Sequence, residues 1–161
     1  MELKTKIHAE GGKQDLFIIR EFDLPVELLF RAHVEPDILE QWMTNAYATA
    51  KVLKFEGKKH GSYQLESTDA QGKVVFRSNG VIHELSPNKK IIRTFELETA
   101  SFGVQLEVYD FEPLSDNTSK LTMHVIYESV AKRDQLLKLP FAQGINWAHN
   151  RLEEVLTTLN N

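Results

Sequence analysis

The sequence predicts an α+β fold: an antiparallel strand meander entered through one strand and two short helices, and closed by a long C-terminal helix. Two observations predict it. The middle of the chain alternates apolar and polar residues in runs separated by turn residues, as an antiparallel meander does. On either side, residues 22–42 and the final thirty residues step at helical spacing instead.

Residues 22–42, FDLPVELLFRAHVEPDILEQW, contain two helix starts. Pro25 stands between Asp23 and Glu27, and Pro36 between Glu35 and Asp37. Proline has no N–H to lose in a first turn, and carboxylates there face the positive end of the helix dipole. Val26, Leu29, Phe30 and His33 fall at i, i+3, i+4 and i+7, which gives the first helix one face to bury. The second has room for about two turns and carries Trp42 to its end.

Strands are expected at Leu16–Phe22, Ala46–Phe55, Ser62–Ser67, Val74–Leu85, Lys90–Leu97, Val104–Leu114 and Lys120–Tyr127. The dividers, among them Asp69-Ala70-Gln71-Gly72, Ser86-Pro87-Asn88 and Thr99-Ala100-Ser101, are rich in residues that tolerate turn geometry. Leu3–Ala9 is expected to pair with the first strand across Gly11-Gly12, within an N-terminal arm of residues 1–15. At the other end Phe141, Ile145, Ala148, Leu152, Val155 and Leu159 step by 4, 3, 4, 3 and 4, a stripe that needs a broad apolar surface. Pro140 kinks this helix or marks where its straight part begins. Gly144 and Ala148 replace bulk with space, read either as close helix–sheet packing or as a window over a cavity.

Composition narrows the function classes. The 161 residues are expected to form one domain, 1–161, large enough for a core plus an internal cavity. A net charge of −4 with both signs interspersed lacks the basic surplus of a nucleic-acid footprint. With no cysteine there are no disulfides, thiolate nucleophiles or sulfur-ligated zinc. No apolar run is long enough to span a membrane, and a cytoplasmic location is expected. Metalloprotease, serine-hydrolase, P-loop and dinucleotide motifs are absent, and the six histidines have no metal-ligand spacing. Lys58-Lys59 and Lys89-Lys90 read as turn residues, and Glu153-Glu154 as a solvated helix face.

The order of elements is a helix-grip arrangement, and the residues Ile19–Trp42, IREFDLPVELLFRAHVEPDILEQW, carry a resemblance. They resemble the opening of the activator of heat-shock protein 90 ATPase-like family, within the START-related (SRPBCC) superfamily that shares the Bet v 1-like fold. Further matches lie at Gly61-Ser62-Tyr63, at Gly80–Pro87 with Thr94 downstream, and at Trp147 with Arg151-Leu152. The chain departs from the family pattern at His33 (usually aromatic), at Met43 (often a second Trp) and at Asn45 (usually near Gly-Pro). The resemblance implies a curved antiparallel sheet holding the C-terminal helix. It also implies that this chain leaves no room for the extra segment of an ATPase-activating co-chaperone.

Alternation assigns candidate lining to a cavity between sheet and helix. Trp42, Tyr63, Phe76, Ser78, Ile82, Gln105, Glu107, Tyr109, Met123, Phe141, Gly144 and Ala148 are the expected ligand-binding residues. Inward placement of Gln105, Glu107, Tyr109 and Phe111 follows the family's apolar alternation, and Leu106, Val108 and Asp110 form the opposing set. A one-residue slip would invert every choice. Glu107 is the polar group best suited to chemistry, although a partly exposed strand end is its simpler reading. His83 and His124 read as surface or hydrogen-bonded residues, His33 as a boundary histidine, and Arg77 and Arg93 by default as solvated on the convex face, with the grip of an anionic ligand headgroup as their functional alternative.

The resulting expectation is non-catalytic binding of a hydrophobic or amphipathic small molecule, with no cofactor and no metal. Two other readings stay open: a protein-interaction or co-chaperone module, and a cyclase- or hydratase-like enzyme. The chain is expected to be a monomer or homodimer.

Overall fold

The computed structural model describes residues 3–160; Met1 and Glu2 of the expected arm, and Asn161, lie outside the described residues. The strands are β1 (Lys6–His8), β2 (Asp15–Phe22), β3 (Thr49–Phe55), β4 (Ser62–Thr68), β5 (Val74–Ser86), β6 (Lys90–Leu97), β7 (Val104–Pro113) and β8 (Ser119–Ile126). They form one antiparallel sheet in the order β1-β2-β8-β7-β6-β5-β4-β3. Its two edges never meet, so the sheet is curved but unclosed. Register shifts at Val52/Lys54, Ser67/Thr68 and Ile82/Glu84 mark bulges, which bend strands and increase their twist.

Between β2 and β3 lie α1 (Val26–Val34) and α2 (Pro36–Met43). Pro25 caps α1, its carbonyl accepting from Leu28 and Leu29, and Pro36 occupies the first turn of α2. Leu16, Ile18, Phe22, Leu24, Leu29, Leu121, Val125, Leu152 and Leu156 are fully buried and join the helices to the sheet. No helix among the described residues is long and apolar enough to cross a membrane.

Four expectations change. Asn45 turns the chain before β3, its Oδ1 accepting from the backbone of Tyr47 and Ala48, so that strand begins at Thr49 rather than Ala46. The N-terminal strand keeps only Lys6–His8 of Leu3–Ala9, paired to Phe17–Ile19. The final thirty residues form two helices, α3 (Val130–Leu137) and α4 (Phe141–Asn160), rather than one, and Pro140 marks where the straight α4 begins, the second of its two expected roles. Leu159, the end of the expected stripe, is exposed, whereas Leu156 is buried in its place.

Ser129 caps α3, accepting from the Lys132 N–H through its side chain. Ser129→Ala should cost about 1 kcal/mol, the usual loss for such a cap, seen as a lower urea midpoint at unchanged slope. A midpoint equal to wild type would mean that α3 contributes nothing to the cooperative unit.

Candidate functional site

Curvature of the sheet leaves a cavity of about 260 Å³ beneath α4. At about 30 Å³ per water it is equivalent to roughly nine waters. Phe141, Ile145, Ala148 and His149 of α4 face it, together with His33 of α1 and Leu39, Trp42 and Met43 of α2. The sheet wall comes from alternate residues of several strands, including Phe55, Tyr63, Leu65, Ser78, Phe95, Met123 and Val125. A wider groove of about 620 Å³ beside α4 is lined by Lys4, Arg20, Asn146, Asn150, Glu153, Glu154, Thr157 and Thr158, with no apolar side chain among them. The cavity joins apolar walls to a few convergent polar groups.

Those polar groups lie on β6 and β7. Arg93 pairs with Glu107 across the two strands, its Nε donating to Oε1 at 2.8 Å and its Nη2 donating to the Tyr109 hydroxyl at 2.7 Å. Tyr109 donates in turn to Glu107 Oε1 at 3.0 Å, and the Gln105 amide donates to Oε2 at 2.7 Å. Three donors on one carboxylate suit an ionised acceptor. The Arg93 guanidinium lies 4.7 Å from the Tyr63 ring centroid and 5.0 Å from that of Tyr109. Burial opposes its charge, but Tyr109, Tyr63 and Glu107 outweigh burial and hold it protonated. Burial raises both tyrosine hydroxyls, which remain protonated donors.

Tyr63 is fixed by a 2.5 Å hydrogen bond from its hydroxyl to the Thr94 carbonyl. That bond passes through space a Cβ would occupy at residue 80, which is why Gly80 is required there. Trp42 is fixed similarly, its indole N–H donating to the Ala32 carbonyl at 2.8 Å.

Two buried histidines complete the inner wall. His33 Nδ1 bonds the Leu29 carbonyl at 2.8 Å and must be its donor, so Nε2 of the neutral ring is an acceptor. Among the described residues Nε2 has no partner, and its ring meets Trp42, Tyr109 and Phe111 edge-on. A buried acceptor left unmade costs about 1–3 kcal/mol. Burial lowers His33 to about 4 and keeps it neutral. His149 Nδ1 lies 2.9 Å from Thr5 Oγ1, which accepts from Arg20, itself paired with Glu153 at 3.4 Å. Burial, then the proximity of His33 and Arg20, lowers His149 to about 3.

Of the expected residues, the structure brings together Trp42, Tyr63, Ser78, Gln105, Glu107, Tyr109, Met123, Phe141 and Ala148 around the cavity. Ile82 is buried beside Tyr63 and Leu65 without reaching it. Phe76 is 52% exposed, because β5 runs on past the cavity toward the Asp69–Gly72 turn. Gly144 faces open space: a Cβ there meets nothing within 4 Å, so it is no window.

Other readings are also corrected. Glu107 is 5% exposed and fully partnered, not a strand end in solvent. Arg93 points into the cavity instead of outward, whereas Arg77 pairs with Glu66 on the opposite face. His33 is buried rather than at the boundary, and Glu153 is drawn inward by Arg20. On the convex side His124 bonds Asp15 at 2.7 Å and stacks on Phe17. No cluster of three metal-ligating side chains occurs among the described residues.

Arg93, His33 and His149 are polar lining residues whose inward placement the sequence did not assign, although it left Arg93 open to a ligand-gripping role. Arg93 had a usable signal: a turn centred on residue 100 pairs it with Glu107, an opposite-charge pair across the hairpin.

A curved unclosed antiparallel sheet, two short helices after its second strand and a long C-terminal helix over an apolar cavity define a helix-grip protein of the START-related kind. More narrowly, the chain belongs to the family described as activator of Hsp90 ATPase homolog 1-like protein, which matches residues 23–157. A crystal structure of a Rhodobacter sphaeroides protein shares the fold at TM-score 0.85 and 22% identity, covering 95% of this chain and 99% of that one. Protein Ms6760 from Mycobacterium smegmatis is similar at TM-score 0.81 and 20% identity, covering 94% and 96%. An Arthrobacter aurescens protein solved by NMR is similar at TM-score 0.82 and 18% identity, covering 95% and 91%. No curated protein matches the chain.

Proposed function

We propose that this protein binds an apolar or amphipathic small molecule, without catalysis, in the cavity between the sheet and α4. The observation that carries the reading is an apolar cavity of about 260 Å³ with one preassembled polar cluster, Arg93–Glu107–Tyr109–Gln105, on its sheet wall. Burial of ligand carbon at about 25 cal/mol per Å² supplies affinity, and fixed polar groups supply orientation. The volume is below the usual 300–1,000 Å³ of drug-sized sites, which favours a small ligand.

Burial of Glu107 also favours an enzyme reading, since an acid or base in a cleft is what a cyclase or hydratase would need. Its oxygens are, however, already engaged by the protein's own donors, which suits a positioning role better than proton transfer. Action on an ATPase, the family's namesake activity, would call for a binding surface rather than a cavity, and the convex face exposes Phe17, Val81 and Leu106.

Naphthalene, an uncharged two-ring probe, tests the reading. At ten times its Kd it should add about 1.4 kcal/mol by mass action and raise Tm by about 3–6 °C. Ala148→Phe should abolish the shift by filling the cavity, and Gly144→Leu should leave it intact. A shift that survives Ala148→Phe would place binding elsewhere.

A further inference from the structure

Resting on the ligand-binding reading, we infer that the natural ligand is uncharged and carries a hydrogen-bond acceptor, in the simplest case a carbonyl oxygen, to which His149 Nε2–H donates. The tautomer of that ring is set from behind, by two residues outside the cavity lining. Arg20 Nη1 donates to Thr5 Oγ1 at 3.1 Å, and Thr5 Oγ1 lies 2.9 Å from His149 Nδ1. Thr5 is 2% exposed, and its hydroxyl has no other partner among the described residues. If Nδ1 carried the ring hydrogen, the hydroxyl would accept from both neighbours and its own hydrogen would be buried without an acceptor, a loss that native interiors avoid. Donation therefore runs one way, from Arg20 to Thr5 and from Thr5 to Nδ1. A neutral imidazole that accepts at Nδ1 carries its hydrogen on Nε2. Burial, with His33 and Arg20 nearby, keeps the ring neutral.

Nε2 of His149 is open where Nδ1 is closed. Among the described residues the buried side-chain nitrogens and oxygens without a hydrogen-bond partner are Arg20 Nε and His33 Nε2. His149 Nε2 makes no hydrogen bond either and is not one of them, so it keeps accessible surface. The residue as a whole is 3% exposed, and it lines the cavity but not the groove beside α4, so that surface opens on the cavity. The Tyr127 hydroxyl and Arg93 Nη1, both on lining residues, are open on the same grounds, and both can donate. Gln105 Oε1 is an open acceptor, set against these three donors. Donors in excess suit a ligand that accepts. Its charge follows from Arg93, which Glu107 already neutralises at 2.8 Å: a carboxylate or phosphate would bring uncompensated negative charge beside Glu107.

Three probes of matched shape decide the matter, 1-tetralone, tetralin and 1-naphthoate, titrated by calorimetry at pH 7, together with nitrogen NMR of the His149 ring in the ligand-free protein. Tetralone should bind about tenfold more tightly than tetralin, because the hydrocarbon leaves a desolvated N–H unmade, and naphthoate should bind most weakly. The NMR spectrum should show the ring hydrogen on Nε2. His149→Phe, which keeps a ring and removes the donor, should bring tetralone down to the affinity of tetralin. Thr5→Val leaves the imidazole in place and removes the hydroxyl that sets its tautomer; it should move part of the hydrogen to Nδ1 and narrow the tetralone preference, which keeps the inference testable if His149→Phe does not fold. A ring hydrogen found on Nδ1 in wild type, or a tetralone preference that survives in His149→Phe or is unchanged in Thr5→Val, would overturn His149 as the donor. Equal affinity for tetralone and tetralin would overturn the acceptor on the ligand while leaving the cavity reading intact, and naphthoate binding most tightly would overturn the uncharged ligand. Should none of the three bind wild type, the ligand-binding reading fails, a result distinct from all of these.

Discussion

Glu107→Leu should destabilise the protein by about 3–5 kcal/mol, and adding Arg93→Met should recover most of that loss. The side chains of Arg93 and Glu107 are 19% and 6% exposed, so removing the carboxylate strands a guanidinium among Tyr63, Tyr109 and the cavity wall. Breaking one partner of a buried pair is strongly destabilising because the other charge stays buried, whereas replacing both by apolar residues of similar volume is often near neutral. The two tyrosine rings soften the loss by cation–π attraction, which places the single variant toward the low end of the range. Urea unfolding of wild type, both single variants and the double variant closes the cycle. Additive effects would show that the two groups do not form a coupled buried pair.

The same pair illustrates what the sequence does and does not carry. Elements and their order were legible because period and punctuation are local properties. Pro25 and Pro36 each mark a helix start, and alternation through Glu107, Tyr109 and Phe111 marks one face of β7, which the structure buries. Depth along an element is a different quantity. Phe76 has the parity of Ser78 and Ile82, yet it sits where β5 has not yet reached the cavity, and no two-residue period reports that. Gly144 fails in a similar way: at about 100° per residue it lies on the flank of the face set by Phe141, Ile145 and Ala148, where α4 turns to solvent.

Polar residues on apolar faces were the harder class. Arg93 lies between Ile91 and Phe95 in the inward alternation of β6, and His149 falls on the series Ile145, Leu152, Leu156. Treating a charge as outward by default hid the first, and treating histidines as scattered hid the second. Each is stabilised inside by partners distant in sequence: Glu107 for Arg93, and Thr5 for His149. Long-range register decides such placements, and composition does not report it.

Stability should fall by about 4 kcal/mol between pH 7 and pH 5, a large part of the 5–15 kcal/mol typical of a folded domain. His33 and His149 are held at about 4 and about 3 in the native state, against 6.5 for an unperturbed histidine. The excess of protons on the unfolded chain therefore grows as pH falls through 6.5 and approaches two well below it. A depressed histidine favours folding only while it is neutral in both states, so its contribution is whole above 6.5 and is lost as pH falls toward the native values. Each histidine adds a slope approaching 1.4 kcal/mol per pH unit in that window, before carboxylates begin to titrate. Arg20 and His33 face His149, and Arg93 faces His33, so native protonation meets like charge as well as burial. His149→Gln, which can still bond Thr5, should remove about half of the pH dependence whatever it does to absolute stability. Urea titrations at pH 7, 6 and 5 read both slopes directly. A wild-type stability unchanged over that range would mean that the two histidines are solvated, and with them the inner wall of the cavity.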